Sequence, residues 1–105
     1  AFAPKYRADG ALLIQAHPFR GKCTPAPAEL LDGVEVLNLN PRHDSRNDLA
    51  LAYAKEHNLL MTAGSDYHRP GDEGTTGILA ETLPEDSFGF ADLIRSGKYT
   101  LIRPE

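Results

Sequence analysis

An aspartate and a histidine stand two positions apart in the stretch TAGSDYHRP, directly after a short apolar run. In extended backbone, side chains two residues apart point the same way, with Cα atoms roughly 6–7 Å apart. Asp66 and His68 can therefore reach one cation or two neighbouring cations. A carboxylate and an imidazole suit zinc, manganese or iron by ligand type. A solvated turn is the alternative, because an aspartate after Gly-Ser is also good turn chemistry.

Polar side chains also follow two other apolar runs. His17 comes after ALLIQA, and Asn38 and Asn40 end the run GVEVLNLN. If the three runs are parallel strands, their carboxyl ends lie at one edge of the sheet, which is where α/β proteins bind ligands. The sequence therefore predicts that His17 and the Asp-His pair converge on one cavity rim, with the two asparagines nearby.

Strand and helix patterns alternate along the chain. Short apolar or β-branched runs indicate strands at residues 11–16, 33–40, 59–65 and 98–103. Helical patterns with stop residues indicate helices at residues 27–33, 45–58 and 90–97. In the longest helix, Ser45 is expected to cap the beginning and Asn58 the end. The order predicts an α/β fold with a parallel sheet and right-handed crossovers.

Residues 68–86 are rich in glycine, proline and threonine and are expected to form a long loop that contains a short strand at GILAE. Long loops in compact domains are often functional. Within the second strand, Glu35 lies between two valines, and a buried carboxylate needs a partner. Support of a ligand and an exposed or salt-bridged position both remain open for Glu35.

Length and composition describe one small domain over residues 1–105, with 41% hydrophobic and 25% charged residues. The net charge of −4 is spread over interspersed acids and bases, so no nucleic-acid partner is expected. No apolar run approaches the ~20 residues of a membrane span, so no membrane partner is expected. The single cysteine, Cys23, forms no internal disulfide, which favours a cytoplasmic protein.

Three stretches, ALLIQAHPFR, DGVEVLN and TAGSDYHR, resemble in that order the C-terminal half of the polymerase-and-histidinol-phosphatase (PHP) family. The likeness continues more weakly in FADLIRSGKYTLI. The resemblance implies part of a distorted (β/α)7 TIM-like barrel with metal ions at its C-terminal face. It also implies that His17, Asp66 and His68 are metal ligands.

The activity implied by the resemblance is that of a hydrolase, a metal-dependent phosphoesterase. Zinc, manganese or iron ions would activate a water molecule against a phosphate mono- or diester. The expected substrate is a phosphorylated small molecule. Arg20 and Arg69 are candidates for phosphate contacts, because a guanidinium forms paired bonds with phosphate. Asn38 and Asn40 are candidates for substrate contacts or for support of the ligands.

The family's first motif, an H-x-H near its N-terminus, is absent from this sequence. The chain is therefore expected to be the C-terminal portion of a PHP-type barrel; activity is expected of the parent protein and left open for this chain alone. A non-catalytic PHP-like structural or interaction module with a degenerate metal site is the alternative, and an unrelated α/β binding domain is a third. Because half a barrel exposes sheet edges and apolar faces, we expect self-association or pairing with the missing N-terminal half.

Overall fold

The structure is a computed structural model that describes residues 10–72 and 76–103. Its strands are β1 (Ile14–Gln15), β2 (Gly33–Asn38), β3 (Leu60–Gly64), β4 (Gly77–Ala80) and β5 (Tyr99–Ile102). Its α-helices are α1 (Asn47–His57) and α2 (Ser87–Ser96), and a 3-10 helix spans Ala28–Leu30. Within these ranges, no helix combines the length and the apolar character that crossing a membrane requires.

Strands β1, β2 and β3 form a parallel sheet with β2 in the centre. Helix α1 connects β2 to β3 and packs on the sheet, where its small side chains Ala50 and Ala54 lie against Val34 and Val36. The backbones of β2 and β3 approach so closely that a Cβ atom on Gly33 would lie 2.6 Å from the carbonyl oxygen of Leu60. The predicted α/β class with parallel strands is confirmed for this sheet. The described strands close no barrel, and the larger barrel stays a prediction.

The last predicted strand does not join the parallel sheet. Strand β5 pairs with β4 in a separate antiparallel sheet of two strands. In β5 the half-buried Tyr99 and Leu101 alternate with the exposed Thr100 and Ile102. This alternation is typical of antiparallel strands with one face in solvent, whereas β2 is buried on both faces. The expectation of one parallel sheet was therefore wrong for the C-terminal strand.

The beginning of helix α1 also differs from the sequence-based expectation. Arg46, with φ 50°, occupies the N-cap position and makes no side-chain cap. Ser45 is buried, and its hydroxyl instead accepts a hydrogen bond from Nε of Arg20 at 3.1 Å. The predicted cap by Ser45 was wrong because a distant guanidinium takes this hydroxyl. The predicted end is confirmed, since Asn58 adopts the left-handed conformation with φ 55°.

Helix α2 begins three residues before the predicted range, at Ser87. The side chain of Asp86 accepts a hydrogen bond from the backbone N–H of Gly89 at 2.7 Å and so caps the helix. The predicted stop at Gly97 is confirmed by its left-handed backbone. The helix expected at residues 27–33 is only the short 3-10 turn. The loop expected at 68–86 contains β4, and residues 73–75 of it lie outside the described ranges.

Candidate functional site

The carboxylate of Asp66 lies between two imidazoles at the carboxyl end of the parallel sheet. Oδ1 of Asp66 is 2.8 Å from Nε2 of His68. Oδ2 is 3.8 Å from Nε2 of His17, and Nδ1 of that ring lies 3.9 Å from Sγ of Cys23. The structure therefore brings together the three residues that the sequence placed on one rim, because the parallel strands β1 and β3 end side by side with β2.

Arg20 contacts the same carboxylate. A turn after β1, closed by a hydrogen bond from Arg20 N–H to the carbonyl of His17, points the side chain back toward the site. Nη1 of Arg20 donates to Oδ2 of Asp66 at 2.7 Å. The hydrogen bond from Arg20, with the nearby His68, lowers the pKa of Asp66 below its ordinary value. Asp66 is thus an anion at neutral pH and a competent ligand for a cation.

Nη2 of Arg20 is buried, and no residue in the described part of the chain accepts a hydrogen bond from it. A buried donor without a partner is costly. The other phosphate candidate, Arg69, is exposed in the loop that follows Asp66. The position of the Arg20 guanidinium at the Asp66 carboxylate is compatible with a phosphate contact, and phosphate contacts by Arg20 and Arg69 both remain predictions.

Both His17 and Asp66 have strained backbones. Their φ angles are 29° and 51°, in the left-handed region that residues other than glycine rarely adopt. The backbone N–H of His17 donates to Oε1 of Glu35 at 3.1 Å. Nδ2 of Asn40 donates to the carbonyl of Asp66 at 2.9 Å and to that of Ser65 at 3.3 Å. Side chains from β2 and the residues just after it therefore secure both positions.

Asn38 and Asn40 are each only 2% exposed, and their amides bond to protein groups. Nδ2 of Asn38 donates to Oε1 of Glu35 at 2.7 Å, and Oδ1 accepts from the N–H of Asn40 at 3.1 Å. Oδ1 of Asn40 accepts from the N–H of Arg42 at 3.0 Å. These contacts support the backbone of Asp66 and the loop that follows β2. A direct contact of either asparagine with substrate stays a prediction.

An ion pair that was not predicted from the sequence lies beside the site. Asp72 is 1% exposed, and its carboxylate accepts hydrogen bonds from Nε of Arg42 at 3.1 Å and from Nη2 at 2.6 Å. The hydrogen bond with Arg42 lowers the pKa of Asp72 and raises that of Arg42. Oδ2 of Asp72 also accepts from the N–H groups of His68 and Arg69. The pair thus fixes the loop that carries His68.

A signal for this pair was present in the sequence. Asp72 follows the Pro-Gly dipeptide at the end of HRPGD, and aspartate in such a turn often bonds to nearby backbone N–H groups. The partner could not be identified in this way, because Arg42 is thirty positions away from Asp72 in the chain. Only the folded arrangement of the two loops brings these side chains together.

The donor chemistry fits part of a metal site. Two ligands of one zinc ion are typically about 3–3.5 Å apart, given bond lengths near 2 Å. The separations of 2.8 and 3.8 Å between the oxygens of Asp66 and the two imidazoles lie near that range. Within residues 10–72 and 76–103, no three histidine, cysteine or acidic side chains are grouped to hold one ion. Metal ligation by His17, Asp66 and His68 therefore remains a prediction.

Comparisons with known proteins bear on the family. A family profile described as PHP-associated matches residues 44–99, more than half of the chain. The matched segment includes α1, β3 and the Asp66–His68 pair, and it ends in β5. No curated protein and no solved structure gives a significant match. The chain therefore belongs to the PHP-associated family, in agreement with the resemblance that its motifs indicate.

Proposed function

We propose that the chain supplies the C-terminal part of the active site of a metal-dependent phosphoesterase, which hydrolyses a phosphate mono- or diester. The observation that carries this proposal is the arrangement of two imidazoles against the two oxygens of one ionised carboxylate. Membership of the PHP-associated family supports the same reaction class. The expected substrate is a phosphorylated small molecule.

His17, Asp66 and His68 would be ligands of divalent metal ions, with zinc, manganese or iron as the candidates. When bound, such an ion lowers the pKa of a coordinated water toward neutral pH and offsets charge on the phosphoryl oxygens. Water or groups outside the described residues would complete the coordination. The contribution of this chain is to present the Asp66 carboxylate between the imidazoles of His17 and His68.

Arg20 is proposed to bind the phosphate group of the substrate. Its guanidinium already lies at the site, 2.7 Å from Oδ2 of Asp66, and Nη2 has no partner among the described residues. Binding of a cation to Oδ2 would compete with this ion pair. A guanidinium released from Oδ2 keeps its positive charge beside the site, where phosphate oxygens are suitable acceptors. Arg69, exposed in the adjacent loop, is a second candidate.

The proposal is tested by zinc and manganese titrations of the full chain, followed by hydrolysis of an aryl phosphate by the parent protein. Asp66→Asn and His68→Gln should weaken metal binding by more than the roughly 10–100-fold that follows loss of a supporting group. His43→Gln is the matched control, because His43 is exposed and outside the site. Equal metal affinity for wild type, Asp66→Asn and His43→Gln would contradict the proposal.

A second candidate function is a non-catalytic module with a degenerate metal site. The specific observation in its favour is the ion pair between Arg20 and Asp66, which neutralises the central carboxylate without a metal. Under this reading, Arg20→Ala destabilises the chain and the wild type binds no metal. Under the enzyme reading, the wild type binds metal and Arg20→Ala impairs phosphate binding.

Association with another chain segment or a second copy is proposed for either function. Leu83 is 91% exposed and Phe88 is 72% exposed, and large apolar side chains in such positions often mark interaction surfaces. Light scattering should show that the isolated chain self-associates. If the N-terminal part of the barrel is added and pairs with the chain, the self-association should decrease. A monomer at high concentration would contradict this expectation.

A further inference from the structure

Glu35 lies directly beneath the candidate site, in the middle of β2. Its Oε1 accepts two hydrogen bonds, one from the backbone N–H of His17 at 3.1 Å and one from Nδ2 of Asn38 at 2.7 Å. Its Oε2 lies close to Gly64 at the end of β3, where an added Cβ atom would be 3.1 Å away. The carboxylate therefore sits between the ends of β1 and β3, and the lack of a side chain at Gly64 leaves room for it.

A second branch of hydrogen bonds leads from Glu35 to the other strained residue. The amide of Asn38 that donates to Glu35 also accepts from the backbone N–H of Asn40 at 3.1 Å. The amide of Asn40 in turn donates to the carbonyl of Asp66 at 2.9 Å. Glu35 is thus connected directly to the backbone of His17 and, through two buried asparagines, to the backbone of Asp66.

The two ends of this network are the site residues whose backbones are left-handed. A residue other than glycine in that conformation costs about 1–3 kcal/mol and persists only where its surroundings hold it. If either backbone relaxed, the side chain would turn with it. The imidazole of His17 and the carboxylate of Asp66, now 3.8 Å apart, would then separate. A hydrogen-bond network that reaches both backbones can set the distance between the two side chains. A hydrogen bond to only one of the backbones cannot.

We propose that Glu35 is a positioning residue for the site. Through the N–H of His17, and through Asn38 and Asn40, it holds the imidazole and the Asp66 carboxylate facing each other. The inference rests on the proposed function only for the identity of what binds there. The claim about the two backbones stands on the hydrogen bonds alone.

The test compares Glu35→Ala with Glu35→Gln in the full chain, by the amide NMR signals of His17 and Asp66 and by titration with Zn²⁺. Glu35→Ala should shift or broaden both amide signals and weaken zinc binding by about 10–100-fold, as loss of a supporting group typically does. Glu35→Gln keeps an oxygen that accepts both hydrogen bonds and should stay close to wild type. Asn40→Ala should move the signal of Asp66 and leave that of His17.

Val36→Ala is the matched control, because Val36 is buried on the same strand and packs in the core. It should lower the free energy of unfolding without moving the two amide signals or the zinc affinity. If Glu35→Ala does not fold, Gly64→Ala decides the question. Its methyl group would press on Oε2 of Glu35 and should shift the same two signals by a smaller amount.

The proposal is overturned if a folded Glu35→Ala chain retains the His17 and Asp66 signals and the zinc affinity of the wild type. It is also overturned if Val36→Ala changes these readouts as much as Glu35→Ala does. If the wild type binds no zinc, the proposed function fails, and the amide signals still decide whether Glu35 positions the two residues.

Discussion

The parallel sheet with α1 and the unit formed by β4, α2 and β5 differ in how they are stabilised. The parallel half holds the contiguous core of Leu31, Val34, Val36, Ala50 and Ala54. In the C-terminal unit, Ile94 is the one fully buried large hydrophobic residue among those described. Leu79 and Phe88 in the same unit are exposed. The first region therefore has a core of its own, and the second depends on few contacts.

The better-packed core of the parallel half explains why the candidate site lies at the end of this half. Strained backbones persist only where packing and hydrogen bonds hold them. Among the described residues, the hydrogen bonds that hold the backbones of His17 and Asp66 come from the parallel half and the loops at its carboxyl end. The C-terminal unit attaches to that half partly through the hydroxyl of Tyr99, which donates to the carbonyl of Met61 at 2.5 Å. Burial raises the pKa of Tyr99, so this hydroxyl stays protonated and keeps its donor.

The largest expected change in the free energy of unfolding tests whether the C-terminal unit depends on a single buried side chain. Ile94→Ala should lower the free energy of unfolding by about 2–5 kcal/mol, because it removes a fully buried aliphatic side chain. Phe88→Ala, on the same helix, should change it by no more than about 0.5 kcal/mol, since this ring is exposed. Urea unfolding measures both. Both values apply to the dilute, monomeric chain, because Phe88 is also proposed to lie in an association surface; a larger loss for Phe88→Ala in the monomer would contradict the exposed position of its ring.

A pair of glycines tests the contrast at the level of the backbone. Gly33→Ala should cost about 1–3 kcal/mol, because the new Cβ atom would clash with the backbone of Leu60 across the parallel sheet. Gly77→Ala on β4 meets no described atom within 4 Å and should be neutral or stabilise by up to about 1 kcal/mol. Thermal unfolding of the two variants gives the comparison. Equal stabilities would mean that the backbones of Gly33 and Leu60 can move apart at little cost.

Two serines test the polar contacts of the two regions. Ser45→Ala removes the acceptor of Nε of Arg20 in a buried position and should cost about 1 kcal/mol or somewhat more. Ser96→Ala removes two exposed contacts, with the carbonyl of Leu93 and with the backbone N–H of Lys98, and should cost no more than about 0.5 kcal/mol. Denaturant titrations of both variants give the two values. The reverse order would contradict the role assigned to Ser45.

The last prediction concerns how the stability depends on pH in the acid range. Because the pKa of Asp72 is lowered in the folded chain from the ordinary 3.8, the unfolded state binds a proton first as the pH falls. The stability that Asp72 contributes is therefore complete above about pH 5 and is lost progressively as the pH falls toward the folded-state value. Asp72→Asn should unfold with a weaker dependence on pH below 4. An unchanged pH dependence would show that the pair with Arg42 does not persist in solution.

Much of the parallel half was predictable from the sequence. The apolar runs before His17, Asn38 and Asp66 gave three strands, and the alternation with helices gave their parallel order. From these two facts the convergence of His17, Asp66 and His68 follows without knowledge of any contact. The prediction succeeded because it needed only the direction of the strands and not the details of packing.

Other features were not predictable for identifiable reasons. The apolar pattern of residues 98–103 indicates a strand but not its partner or direction, so the antiparallel pairing of β5 with β4 was missed. The position of Ser45 before a helix suggested a local cap, whereas its real partner is Arg20, far away in the sequence. The support of His17 by Glu35 and the pair formed by Asp72 with Arg42 likewise depend on contacts between distant segments.

The central claim is that His17, Asp66 and His68 share bound metal, and anomalous diffraction from crystals of the full chain soaked in Zn²⁺ tests it most directly. We expect an anomalous peak within coordination distance of the Asp66 carboxylate and of at least one of the two imidazoles, with the Arg20 guanidinium moved from Oδ2. Peaks only at His43 or His57, with Arg20 still bonded to Asp66, would contradict it.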